Sequence, residues 1–253
     1  YKPGGTCTGL TQEHCGRYQN SGSDPHGLGR WSFVRLLGKA GESLVVVTAY
    51  RVCKNHVGRA GSTTAFHQEW QLLRLSGNLA PNPRKAFISD LIVEIKKWSK
   101  EGAHVILGGD FNENLGETID GLARLVSECK LTDVHAHFHG IKNEPATYVR
   151  GTKRVDYIFV SETVLPFVRF CGIESFFSTV HSDHRGSFLD LDLVGLLGGE
   201  SAKLVPTALR GVSGSSPHSE KYVLALYKYL LQHNVMNRGD KVFTAIEHAS
   251  IPI

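Results

Sequence analysis

The sequence predicts a sheet-rich α/β domain with helices on its outside, and three observations carry that reading. Strand-like and helix-like stretches alternate from the start of the chain to about Val194. Short apolar, β-branched runs such as "HVILGGD" end in glycine, as buried strands do when they open into loops. One long segment, "KAFISDLIVEIKKWSKEG", repeats apolar residues at helical rather than alternating spacing.

The elements follow in chain order. The opening "YKPGGTCTGL" has loop chemistry in Pro3-Gly4-Gly5, and Thr6 to Leu10 is expected to begin a strand. "RWSFVRLLG" and "SLVVVTAY" read as two strands joined by the turn "KAGE". "AFHQEWQLLRL" is expected to be helical. In the stronger helix that follows, Phe87, Ile88, Leu91, Ile92, Ile95 and Trp98 share one face, Pro83 precedes it and Gly102 suits its end. "HVILGGDFN" is the next strand, "GLARLVSECK" a helix, and "RVDYIFVS" and "FLDLDLV" are strands. In the last of these Leu189, Leu191 and Leu193 alternate onto one side. Trp31 and Trp98 are expected in the core.

The pattern changes after Val194. Residues 195–218 are rich in Gly and Ser, lack a period and read as a linker, and residues 219–253 read as a C-terminal helical segment built on "EKYVLALYKYLLQH". With 253 residues, 41% of them hydrophobic and 21% charged, the chain can bury a sizeable core and is not a disordered segment. A net charge of +4 permits a polyanionic partner. No apolar run approaches the roughly 18–20 residues a membrane span needs. The five cysteines are scattered and form no C-x-x-C pair, which argues against a disulfide framework or zinc site and fits a reducing, intracellular compartment, the nucleus among them. No address signal is visible.

Three stretches place ionisable groups at strand ends. In "VILGGDFNEN", Asp110 and Asn112 are two apart and would share a face of an extended chain, where a carboxylate and an amide can hold a water and a phosphoryl oxygen. A strand followed by an Asx turn reads equally well. In "KRVDYIFVS", Asp156 enters an apolar strand and needs a partner: it is either an exposed edge residue or a carboxylate that orients a histidine. In "HSDHRGSFLDLDL", Asp183-His184 lies in a polar turn just before a strand. A neighbouring carboxylate there would fix the imidazole tautomer and favour its charged form. Basic residues lie between these stretches. Arg150, Lys153 and Arg154 precede Asp156 and Arg51 follows Tyr50, and all four are candidates for contact with a nucleic-acid backbone. In "VHAHFHG", His135, His137 and His139 would share one face if extended and could bind a transition metal, although a loop is the plainer reading.

Taken in order, G-D-x-N, [KR]-x-D-Y-I and S-D-H, with "VVVTAYR" ending a strand in Tyr50, resemble the endonuclease/exonuclease/phosphatase superfamily over roughly residues 1–194. That group includes DNase I-like nucleases, abasic-site endonucleases, deadenylases and inositol-phosphate phosphatases. "KPGGT", "GLGRWSFVRL", "GDFNE", "YIFV" and "SDHR" further resemble endonuclease domains of retrotransposon-like reading frames. The resemblance implies a four-layered sandwich of two packed, mostly antiparallel sheets flanked by helices. It also implies a phosphodiesterase dependent on Mg²⁺, with Mn²⁺ an alternative, acting on nucleic acid, DNA before RNA. Under it, Asp110 orients or deprotonates the attacking water, Asn112 holds the water or a phosphoryl oxygen, and Tyr50 contacts the phosphate. His184, set by Asp156, stabilises charge at phosphorus, and Asp183 lies at or beside the metal. In the superfamily an Asn-ending strand and a Glu that grips the metal come before the region matching "YKPGGT", and neither is found in this sequence. A strand-helix-strand unit of on the order of 30 residues is therefore expected to be absent, with weaker Mg²⁺ binding, doubtful turnover and exposed sheet edges as consequences. Two alternatives follow: a phosphomonoesterase of inositol phosphate-like substrates, and a catalytically silent nucleic-acid-binding module.

Overall fold

A computed structural model describes residues 5–55, 61–178, 181–199 and 217–235. The chain divides into two units, Tyr1–Ala202 and Lys203–Ile253. The first contains a six-stranded sheet with the order β1-β2-β3-β4-β6-β5 and a two-stranded sheet, β7-β8. Its strands are β1 (Tyr18–Ser23), β2 (Trp31–Leu37), β3 (Ser43–Tyr50), β4 (His104–Asp110), β5 (Leu131–Asp133), β6 (Asp156–Ser161), β7 (Val168–Ile173) and β8 (Ser187–Leu191). Its helices are α1 (Ala65–Leu75), α2 (Pro83–Lys100), α3 (Leu122–Cys129), α4 (Val134–His139) and α5 (Leu193–Leu197). Every pairing is antiparallel except β3 with β4. Two packed, mostly antiparallel sheets flanked by helices is the architecture expected from the sequence.

Strand periodicity builds the core. Val45, Val47 and Ala49 of β3, Val105 and Leu107 of β4, and Tyr157 and Phe159 of β6 point to one face. There they meet Phe87, Ile88, Leu91, Ile92, Ile95 and Trp98 of α2 and Leu122 and Leu125 of α3. The intervening residues Leu44, Ile106 and Val160 point to the other face, where Cys171 of β7 and Leu189 and Leu191 of β8 complete a second cluster. Trp31 and Trp98 are buried, as expected. Asn82 caps α2 by accepting from the Lys85 N–H, and Pro83 occupies its first turn, where no N–H partner is needed.

Four elements differ from expectation. Residues 6–10 form no strand; a 3₁₀ turn, Gln12–Arg17, precedes β1, whose "YQNSGS" is too polar to show alternation. "VHAHFHG" is helical, not extended. Asp133 caps α4 by accepting from the His135 and Ala136 N–H groups, so the His135 and His139 rings come within 4.7 Å of each other while His137 packs on Phe138. The last strand stops at Leu191, because Asp192 caps α5 through the Gly195 N–H and turns Leu193 into a helix. Leu196 and Leu197 then bury in the core, so the stretch read as the start of a linker is structured at 195–197. Residues 200–216 of that linker and 236–253 of the C-terminal segment lie outside the described residues. In the second unit, α6 (Pro217–Gln232) forms where the amphipathic pattern places it. No described helix is long and apolar enough to cross a membrane.

Candidate active site

The site lies where β3, β4 and β6 end together. Tyr50 is the register partner of Asp110 across the parallel pair, and Asp110 that of Asp156 across the antiparallel pair. Sheet pairing alone thus sets the phenol and two carboxylates side by side. The close approach of β3 and β4 needs Gly109: its φ is +154°, and a Cβ there would collide with the Ala49 carbonyl.

Asp156 and His184 meet as the sequence suggests. His184 Nδ1 lies 2.9 Å from Asp156 Oδ2. The loop carrying His184 is anchored by a bridge between Tyr148 and His184, by the Val149 N–H donating to the Asp183 carbonyl, and by the Arg185 N–H donating to Thr147. Burial disfavours the imidazolium, but the hydrogen bond and charge of Asp156, with Asp110 and Asp183 behind it, outweigh burial and raise the His184 pKa. Asp110 is pushed up to about 6, by burial first and the Asp156 charge second, against the hydrogen bonds from Asn112. Tyr50 is pushed up to about 12 by burial and by Cys53 and Asp110, which keeps it a neutral phenol.

Of the two readings of "GDFN", the structure shows the Asx turn. Asn112 sits beyond the strand in the left-handed region, φ +48°, which Asn tolerates better than most residues. Its backbone N–H donates to Asp110 Oδ1 and its Nδ2 to Asp110 Oδ2, both at 2.9 Å. Nδ2 also donates to the Arg51 carbonyl, and the Cys53 thiol donates to Asn112 Oδ1 at 3.1 Å. An Asx-type turn, not a shared strand face, brings the two groups together.

Asp110, Asp156 and His184 each offer a ligand atom within 4.8 Å of the others. Two half-buried carboxylates facing each other, one with raised proton affinity, suit a hard divalent cation with oxygen ligands. Asp183 is exposed and outside this group; its charge acts on His184 from the same loop.

Two of the expected substrate-binding residues are placed elsewhere. Arg51 is buried and ion-paired with Glu113, beside Arg84. Arg154 is buried and holds both Asp133 oxygens at 2.8 and 2.9 Å. Both sites place an acceptor where a buried guanidinium would otherwise be unpaired, so both side chains are engaged in ion pairs within the fold. Arg150 and Lys153 are exposed on the loop leading to β6. Sequence reasoning missed Thr147, whose buried hydroxyl accepts from the Val155 and Asp156 N–H groups and sets Asp156 at the strand entrance. It missed Tyr148, whose ring lies 5.0 Å from the His184 ring, and Cys53. The "TY" that begins eight residues before "VDY" is too short a signal to separate from ordinary loop sequence.

No protein-family model matches the chain, and no curated protein matches it in sequence. Its structure is similar to solved structures of DNase I-like endonucleases, exonucleases and phosphatases. One is a 3' phosphatase, NExo, from Neisseria bound to product DNA hairpin, 14% identical over 69% of this chain and 71% of that chain, TM-score 0.48. Another is the endonuclease domain of TRAS1, a telomere-specific non-LTR retrotransposon, 17% identical over 69% of each chain, TM-score 0.44. A third is an AP endonuclease from Archaeoglobus fulgidus, 14% identical over 69% of this chain and 71% of that chain, TM-score 0.45.

Proposed function

We propose that this chain is a divalent-metal phosphodiesterase acting on nucleic acid, the endonuclease of a retroelement-like reading frame. The observation that carries the reading is the Asp110–Asp156–His184 group, with its ligand atoms within 4.8 Å of one another and, among the described residues, no Lys or Arg ion-paired to either carboxylate. Such a group repels itself unless a cation or a proton joins it. Asp110 orients the attacking water and takes its proton. Asn112 spends both amide hydrogens on Asp110 and the Arg51 carbonyl, so it orients Asp110 and keeps Oδ1 to accept from the water. His184 keeps its tautomer through Asp156 and presents Nε2 to the charge that grows at phosphorus, and Tyr50 donates its neutral phenol to the phosphate. Asp110 and Asp156 would hold the metal, Mg²⁺ or Mn²⁺, with Asp183 beside them. When bound, the ion neutralises phosphoryl oxygens and assists the leaving oxygen. Arg150 and Lys153 steer the polyanion towards this mouth. Supercoiled plasmid incubated with the protein and Mg²⁺ should be nicked, and the nicking should stop with EDTA and with His184→Ala. Intact plasmid with hydrolysed inositol phosphates would favour a phosphomonoesterase, and binding without cleavage a silent module.

A further inference from the structure

Beside the proposed catalytic centre lies a cavity of about 360 Å³ that has no part in the chemistry above. Its wall includes His184 together with Glu174, Phe177, Ser182, Arg185 and Gly186. Because His184 belongs to both places, an occupant of this cavity sits within about one nucleotide of the phosphorus under attack.

The wall is chemically uneven. Phe177 is 54% exposed, its ring lies tilted beside His181 with centroids 5.2 Å apart, and its φ is +63°. A bulky residue in the left-handed region is strained, and such strain gathers where a side chain must be aimed. Arg185 lays its guanidinium 4.3 Å from the centre of the Phe176 ring, and its buried Nε has no hydrogen-bond partner among the described residues. Glu174 closes the polar side. Its N–H donates to the Gly186 carbonyl at 2.8 Å, and a Cβ on residue 186 would sit 2.9 Å from Glu174 Oε2, so glycine there leaves the carboxylate room at the wall.

The two basic side chains of the wall are already engaged, His184 by Asp156 and Arg185 by the Phe176 ring, and Glu174 repels a second phosphate, so the sugar–phosphate backbone is the poorer occupant. An aromatic ring at the rim favours a flat, polarisable group, and a carboxylate acceptor favours one that donates from an amino nitrogen. We infer that this cavity seats a nucleobase bearing an exocyclic amino group, that of the nucleotide flanking the scissile phosphate, stacked on Phe177 and donating to Glu174. Phe177 and Glu174 are then specificity-determining residues outside the catalytic group. The inference rests on the phosphodiesterase reading for its placement next to the scissile bond.

Short oligonucleotides test it in two arms. In the first, cleavage is measured with adenine, thymine or a base-free spacer at the nucleotide on each side of the cut. Wild-type protein should show KM about tenfold higher for the spacer than for adenine at one of these positions, the lower end of what base–aromatic stacking gives. Phe177→Ala should lose that difference, Phe177→Trp should keep it, and Glu174→Gln should lose the preference for adenine over thymine. In the second arm, quenching of 2-aminopurine at the same position is followed with EDTA present, so that turnover is not needed. Quenching that Phe177→Ala abolishes and Phe177→Trp retains supports the pocket even if nothing is cleaved, a result that would sink only the phosphodiesterase reading. Cleavage with equal KM for adenine and spacer, or quenching unchanged in Phe177→Ala, overturns the inference and leaves the phosphodiesterase reading standing.

Discussion

Acidic residues of this chain live in two contrasting settings a few residues apart. Glu113 and Asp133 are buried, and each is answered by arginine: Glu113 by Arg51 and Arg84, Asp133 by Arg154. Asp110 and Asp156 are half-buried and face each other, with a histidine as their nearest basic neighbour. The first setting uses charge to lock loops in place. Arg84 alone ties the Val52 and Asn112 carbonyls to Glu113. The second stores unfavourable like-charge contact at the end of a sheet, where only an incoming cation, proton or polarised water relieves it. A carboxylate's partner, more than its burial, therefore separates scaffold from chemistry here.

That contrast can be broken or sharpened by substitution. The largest effect is expected at Asp110→Asn: nicking should fall by about 10³-fold or more, in the range of a lost general base. The urea midpoint should stay the same or rise, since one of two repelling charges is gone. Next comes Asp133→Ala, which leaves Arg154 buried without its main partner and should cost about 3–5 kcal/mol in a urea melt. His184→Gln removes a charge-stabilising group and should lower the rate about 10²-fold with little change in the melt.

A pH titration gives a smaller, signed difference. Burial works against the Glu113 charge, but the Leu122 N–H, Arg51 and Thr118 outweigh it and hold its pKa below the ordinary 4.5. A depressed folded-state pKa means that stability is fully present above 4.5 and is lost as pH falls through the lower folded value. The urea midpoint should thus drop steeply below about pH 4.5, and Glu113→Gln should flatten that drop. The smallest effect belongs to Lys153→Ala. This exposed residue lies 3.8 Å from Glu117, and its loss should weaken DNA binding by only a few-fold at low salt, and less at high salt.

Much of this was legible in the sequence because periodicity survives folding. The strands ending at Tyr50 and Asp110 and the α2 face follow from alternation and helical spacing; that Asp156 wants a partner follows from its apolar strand, and that the partner is His184 follows from the family resemblance. What escaped depends on three-dimensional partners. Arg51 and Arg154 look like surface cations until Glu113 and Asp133 are seen beside them. The histidines of "VHAHFHG" look extended until the Asp133 cap winds them into a turn of helix. Strand β1 carries no apolar pattern because it is an exposed edge of the sheet. Thr147 and Tyr148 earn their places through backbone contacts to residues that follow much later in the chain.

The contrast between the two settings reduces to a metal-binding measurement. Titration of Mn²⁺ followed by electron paramagnetic resonance should show a bound ion in the wild-type protein. The same signal should appear in Glu113→Gln and vanish in the double variant Asp110→Asn/Asp156→Asn. Equal Mn²⁺ binding by the wild type and that double variant, or its loss in Glu113→Gln with the fold intact, would contradict the assignment of Asp110 and Asp156 as the metal-holding pair.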